Sequence, residues 1–173
     1  FADPPDWQDD PGGYSFVAAI SGAIVLDEDG RQMGECEHLT EDQICIDNIQ
    51  DILAAFDSEG PVRGIAIMLF PPFGPYNGTP VYEMTMRSNS SGETLLFKYY
   101  DASEDVVLHI AEPYVFLIND ILGSVVNPIN FHISDLSCPE CVDDDAAVSP
   151  FTCADAAIQF GCDYVWGNGT DII

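Results

Sequence analysis

The sequence predicts a mainly β chain: an antiparallel β-sandwich of Ig-like or jelly-roll-like type, then a small disulfide-stapled C-terminal segment containing short helices. Three observations carry this. Short apolar runs separated by turn signals, roughly every 8–12 residues, extend from Tyr14 to Ile133. Residues 81–87 alternate, with Val81, Glu83, Thr85 and Arg87 against Tyr82, Met84 and Met86, as in a half-buried strand. Four of the six cysteines crowd into the end of the chain, a segment whose size calls for covalent staples. The expected organisation is an extended arm over 1–13, a sandwich over 14–137 and a Cys-rich segment over 138–173.

Each element has a local reason. Residues 1–13, FADPPDWQDDPGG, are rich in Pro, Asp and Gly and have neither a helix signal nor a core of their own. Trp7 is the exception, a large aromatic that wants a pocket on its own domain or on a neighbour. Tyr14 to Leu26 reads as a strand interrupted by Gly22, and Asp29-Gly30 as a turn. Residues 31–50 form a polar loop holding Cys36 and Cys45. Ile52–Phe56 is a short apolar run, closed by the turn Asp57-Ser58-Glu59-Gly60. Val62–Phe70 is a further strand, stopped by a Pro-rich loop that runs to Pro80. Asn89–Glu93 connects the alternating strand to Thr94–Tyr100 as a hairpin. After the acidic turn Asp101–Asp105, the runs Val106–Ile110, Tyr114–Ile118 and Ile129–Ile133 read as three more strands. Asn119–Val126 reads as a helical turn. In the tail, Asp143–Val148 and Cys153–Phe160 read as short helices, the first opened by three aspartates that suit a helix N-terminus.

Charge narrows the function classes. Thirty Asp+Glu against four Lys+Arg give a net charge of −26. Nucleic acid and anionic membrane surfaces both need cationic partners, so neither is expected. No apolar run approaches the ~20 residues of a spanning helix, so membrane insertion is not expected. The acidity suits a solvated surface on a concentrated extracellular protein, or calcium held by clustered carboxylates.

Six cysteines, a single lysine (Lys98) and three sequons indicate a secreted or cell-surface protein carrying N-glycans. The sequons are at Asn77, Asn89 and Asn168, with Pro80 weakening the first. Phe1 then reads as a mature terminus left by processing, or as the first ordered residue. The competing reading is a cytosolic protein with free or metal-bound thiols. Cys36 and Cys45 share one loop and favour a local disulfide, with roughly 3 kcal/mol from loop closure. Cys138-Pro139-Glu140-Cys141 has zinc-knuckle or redox spacing, but Cys153 and Cys162 lie too far apart for the second half of a zinc site. Structural disulfides are therefore favoured for all six, with their connectivity open.

Asp51-Ile52-Leu53-Ala54-Ala55-Phe56, Val62-Arg63-Gly64-Ile65-Ala66, Tyr82 to Met86, and Gly92-Glu93 leading into Phe97-Lys98-Tyr99-Tyr100-Asp101 occur in one order. Over about residues 7–133 this resembles an uncharacterised β-sandwich module of large secreted or cell-surface proteins from aquatic bacteria and algae. The resemblance implies an extracellular surface or fibre component without catalytic residues. The tail resembles the first half of a ShK-like cysteine module, through Cys141 to Asp145, Cys153-Ala154-Asp155, Phe160-Gly161-Cys162-Asp163 and Trp166-Gly167. That module has three further cysteines where this sequence stops at Ile173, which leaves its usual pairing open here.

Candidate sites are few. His38, His109 and His132 are scattered, and no His-Glu-x-x-His, Gly-x-Ser-x-Gly or Walker sequence occurs. No enzyme is expected and no catalytic residue is assigned. Calcium is the one candidate cofactor, at Asp27 and Asp29 or at Asp101 and Asp105, although hairpin chemistry alone explains Asp29-Gly30 and the reading of 101–105 as a solvated turn is favoured. Arg63, in an expected strand, is either a ligand anchor or a structural ion pair, the second being favoured in a chain with so many acids. Phe73 and Tyr76 lie in a loop where aromatics stack on sugars or pack locally. Trp7, Trp166, Ile172 and Ile173, near the chain ends, are the candidate assembly residues. The expected function is an extracellular structural protomer that joins copies of itself head to tail by exchange of terminal segments. The alternative is a carbohydrate-binding or adhesive module.

Overall fold

A computed structural model describes residues 4–34 and 51–134, all within the first of the two units, 1–134 and 135–173, into which the chain divides. The six cysteines, His38, Trp166, Asn168, Ile172, Ile173 and the two expected tail helices lie outside the described residues.

The described chain is mainly β, with no helix among the described residues. Nine strands follow in order: β1 (Phe16–Leu26), β2 (Ile52–Phe56), β3 (Val62–Leu69), β4 (Val81–Ser88), β5 (Thr94–Asp101), β6 (Val106–His109), β7 (Tyr114–Val115), β8 (Ile121–Leu122) and β9 (Ile129–His132). They form one sheet in the order β6-β5-β2-β3-β4-β1-β8, with β7 also on β5 and β9 also on β1. The sheet curls until its ends meet. Ala111 N–H donates to the His132 carbonyl at 2.8 Å and Ser134 N–H to that of His109 at 2.9 Å, beside an Ile110–Ile133 bridge. Nearer the start of β1, Phe116 N–H donates to Glu93 C=O and Asn119 N–H to Val17 C=O, both at 2.8 Å, so residues 116–119 lash β5 to β1.

Two expectations need correction. The sheet is mixed rather than antiparallel, because β8 and β9 both run parallel to β1. Alternation fixes which face a residue takes and carries no information on strand direction. Asn119–Val126 is not a helical turn. It holds the two-residue strand β8 and a reverse turn in which the Ser124 and Asn127 backbones pair. Asn119 itself sits at φ 62°, a left-handed conformation that helices do not continue.

The core follows the period of two. Leu53 and Ala55 of β2, Tyr82, Met84 and Met86 of β4, and Leu95, Phe97 and Tyr99 of β5 are buried together. In β1 the inward set changes parity, from Ala18 and Ile20 to Ala23 and Val25. The cause is a bulge: Ile20 pairs with Met84 but Ala23 with Tyr82, so β1 spends one extra residue. Gly22 lies inside that bulge, where a Cβ would stand 2.3 Å from the Ser124 carbonyl carbon and oxygen. Only glycine lets the two backbones approach this closely.

Candidate functional site: the arm and the outer face of the sheet

β3 changes partners along its length. Its first half pairs with β2 from Phe56–Val62 to Ala54–Ile65, and its second half pairs with β4 from Ala66 to Leu69. Beyond Ile65 the two strands β2 and β3 part, and a groove of about 400 Å³ opens between Asp51 and Ile52 on one side and Ala66, Met68 and Phe70 on the other. Trp7 forms part of its wall.

The arm crosses this outer face as residues 4–13, held by side chains. Trp7 meets Phe56 edge-on, with centroids 5.1 Å apart. The Lys98 ammonium lies 5.0 Å from the same Phe56 ring, which accounts for the burial of this outward-facing phenylalanine to 4%. The Asp9 carboxylate accepts a short charge-assisted hydrogen bond from Arg87 of β4. Among the described residues the arm gives the sheet no backbone hydrogen bond, since its own pair, Trp7 N–H to Pro5 C=O and Gly13 N–H to Asp10 C=O, are internal turns. The arm ends at Pro11-Gly12-Gly13, and Asn89 fixes that point by accepting from Ser15 N–H at 3.0 Å and donating to Gly13 C=O at 3.3 Å.

A second cavity of about 370 Å³ lies farther along the same face, between Asp9 and Arg87 on one side and Ser21, Ile67 and Glu83 on the other. Asp9 Oδ1 is buried there without a hydrogen-bond partner. The docked arm therefore leaves room and an unused acceptor beneath it.

Arg63 forms a buried ion network, the second of the two readings of this residue. Its Nε and Nη2 donate to Asp57 Oδ2 at 3.0 and 2.7 Å, and Nη2 donates also to Glu93 Oε1 at 2.5 Å. The Tyr14 ring lies 4.4 Å from the guanidinium carbon, so the root of the arm packs on the same group. Ser88 Oγ, itself buried, donates to the other Glu93 oxygen and closes the network.

A polar chain also runs into the core. Tyr82 O–H donates to Tyr99 O–H at 3.3 Å, Tyr99 O–H donates to Asp51 Oδ2 at 2.7 Å, and Ala102 N–H donates to Asp51 Oδ1 at 2.8 Å. Burial pushes the Asp51 carboxyl above the ordinary carboxylate range, against the Ala102 and Tyr99 hydrogen bonds that favour its charge. Burial likewise pushes both tyrosine hydroxyls up, so they remain donors. These hydrogen bonds tie Tyr82 of β4 and Tyr99 of β5 to Asp51 beside β2, and Asp51 also lines the groove next to Trp7.

The remaining candidates lie apart. Asp27 Oδ1 accepts from Asp29 N–H at 2.9 Å and Arg31 N–H at 2.7 Å, while Asp29 pairs with Arg31 at the surface. Asp101 Oδ1 accepts from Ser103 N–H and Oγ, and Asp105 accepts from Tyr100 O–H at 2.7 Å. No group of three or more metal-ligating side chains is assembled among the described residues. Asn77 and Asn89 are exposed, and Phe73 is 73% exposed in the 70–80 loop with Tyr76 half-buried beside it in sequence. His132 Nδ1 is 2.6 Å from Glu112, and His109 is pulled below its ordinary pKa by burial and then by Lys98. Among the described residues no helix is long and apolar enough to cross a membrane.

Sequence reasoning singled out Trp7 and Arg63 but missed Phe56, Asp9, Arg87 and the Asp51–Tyr99–Tyr82 chain. One signal for Asp51 was present, because it shares the inward parity of Leu53 and Ala55 in the adjoining strand. No family model, no curated protein and no solved structure matches this chain.

Proposed function

We propose that the chain is an extracellular structural protein, a glycosylated and disulfide-bonded β-sandwich-type protomer that joins copies of itself head to tail into a fibre or surface layer. The observation that carries this reading is the arm. It is docked by two side-chain anchors, Trp7 and Asp9, without a backbone ladder, and it hangs from Pro11-Gly12-Gly13. A segment held this way can leave one copy and dock on the next without disturbing the sheet. A heterologous contact of that kind propagates as a filament when it does not close. The net charge of −26 opposes lateral clumping and makes assembly favour higher salt.

Negative-stain electron microscopy with light scattering, at low and high protein concentration, tests it. Filaments from the intact chain and none from a chain lacking residues 1–13 are expected. Monodisperse monomers at every concentration contradict it.

The exposed Phe73 at a loop tip favours a second reading, a carbohydrate-binding or adhesive module. Retention on a glycan array that is lost in Phe73→Ala or Tyr76→Ala supports this reading, and no retention with or without calcium removes it.

A further inference from the structure

We propose that the outer-face surface carrying Phe56 and Arg87 is the acceptor for the arm of a second copy, and that the arm docked there in its own chain is a closed state that must open first. This rests on the proposed self-assembly and adds the acceptor, the occupant and the control.

That surface already holds one arm. Its present occupant has an aromatic that fits edge-on against Phe56 and a carboxylate that fits Arg87. A second copy's arm carries the same two groups at the same spacing, so it meets the same complement. Charge selects it further. Arg87 is one of four Lys and Arg residues in the chain, and Lys98 lies on the same patch over Phe56. Two of the chain's four cations thus stand where the arm docks, among Glu83 and Asp51 of the cavity walls, and the incoming arm residues Asp6, Asp9 and Asp10 are acidic. About 400 Å³ stays open beside Trp7 and Asp9 Oδ1 is buried without a partner, which limits how tightly an arm is held there and eases its release.

Closure in the same chain controls the exchange. A tethered arm competes at an effective concentration in roughly the millimolar range, so a free arm reaches the surface only when the resident one lets go. Trp7 and the Asp9–Arg87 pair are the two contacts that set this release. Salt weakens this ion pair within a chain and between chains alike, and its push towards exchange comes from screening the repulsion between copies.

The test uses a fluorescein-labelled peptide of residues 4–13 and the full-length chain carrying Trp7→Ala, whose own arm has lost its main anchor. Fluorescence anisotropy should show saturable binding to this variant. The unmodified chain should bind at least about tenfold more weakly, because its own arm occupies the surface. A peptide carrying Trp7→Ala should not bind. Absence of binding to the Trp7→Ala chain, or equal binding of both peptides, overturns the proposal. If circular dichroism shows that Trp7→Ala has lost the β fold, Asp9→Ala releases the arm from its other anchor and is read in the same way. The outcomes also separate the two levels of the argument. Peptide binding with native material that stays monomeric supports the acceptor and sinks the fibre. Filaments without peptide binding overturn the acceptor and place assembly on another contact.

Discussion

Trp7 stands edge-on to Phe56 at an interplanar angle of 75°, and this contact joins a polar arm to a strand forty-nine positions farther along the chain. Phe56 points outward by the alternation of β2, yet it is among the buried residues because the arm and the Lys98 stem cover it. Trp7→Ala should cost about 2 kcal/mol, from lost apolar burial and the lost aromatic pair. Urea denaturation reads the cost. A change under about 0.5 kcal/mol would mean that the arm is not held there.

Arg63 pairs with two carboxylates at once. It is 11% exposed, and its partners Asp57 and Glu93 are 9% and 24% exposed. Arg63→Gln leaves two largely buried carboxylates without their cation and should cost at least about 3 kcal/mol. Arg63→Lys should recover only part of this, because one ammonium cannot reproduce the fork that contacts Asp57 and Glu93 together. Chemical denaturation of the two variants checks the order, and equal stability of Lys and Arg at this position would contradict it.

The Asp51–Tyr99 pair gives a pH prediction with a definite sign. Burial raises the Asp51 carboxyl in the folded chain, so the native state takes up this proton at a higher pH than the unfolded chain does. Stability from this group is therefore lost as pH rises through the folded value and regained as pH falls towards the unfolded one. Asp51→Asn is neutral at every pH and lacks that dependence. Between about pH 7 and about pH 4, the wild type should gain stability relative to the variant. A constant difference across that range would falsify the assignment. Separately, Tyr99→Phe removes the donor to Asp51 and the acceptor for Tyr82, and should cost about 1–3 kcal/mol.

Gly22 tests the β1 bulge. A Cβ there meets the Ser124 backbone at 2.3 Å, and backbone cannot move aside as a flexible side chain does. Gly22→Ala should cost at least about 3 kcal/mol, beyond the ordinary overpacking range, or prevent folding. Thermal denaturation decides, and a melting temperature within a few degrees of wild type would contradict the close approach.

Where one strand carries its own pattern, the sequence was legible. Tyr82, Met84 and Met86 read as one face of a strand, and they are the buried face of β4. The runs 52–56, 94–100 and 106–110 likewise match β2, β5 and β6 closely. The pattern at Gly22 reads as an interruption, and physically it is a bulge that flips the inward face without ending the strand. What stayed hidden depends on distant partners. β7 and β8 have two residues each and exist only because β5 and β1 accept them. The parallel pairing of β9 with β1 joins segments about a hundred residues apart, and no local period encodes it. In the candidate site, Trp7 was conspicuous as an aromatic in a polar arm. Its acceptor was not, because Phe56 resembles any core residue of a short strand, and the outward position of Arg87 does not specify which of thirty acids it meets.

The most direct measurement places a photo-crosslinking benzoylphenylalanine at position 7 and mixes isotopically heavy and light chains at high concentration. After irradiation, mass spectrometry identifies which chain each position-7 adduct joins. The account predicts heavy–light adducts between position 7 and the peptide containing Phe56, increasing with concentration and salt. Adducts confined to heavy–heavy and light–light pairs at every concentration, with the chains monomeric by light scattering, would show that the arm never leaves its own sheet and would contradict exchange.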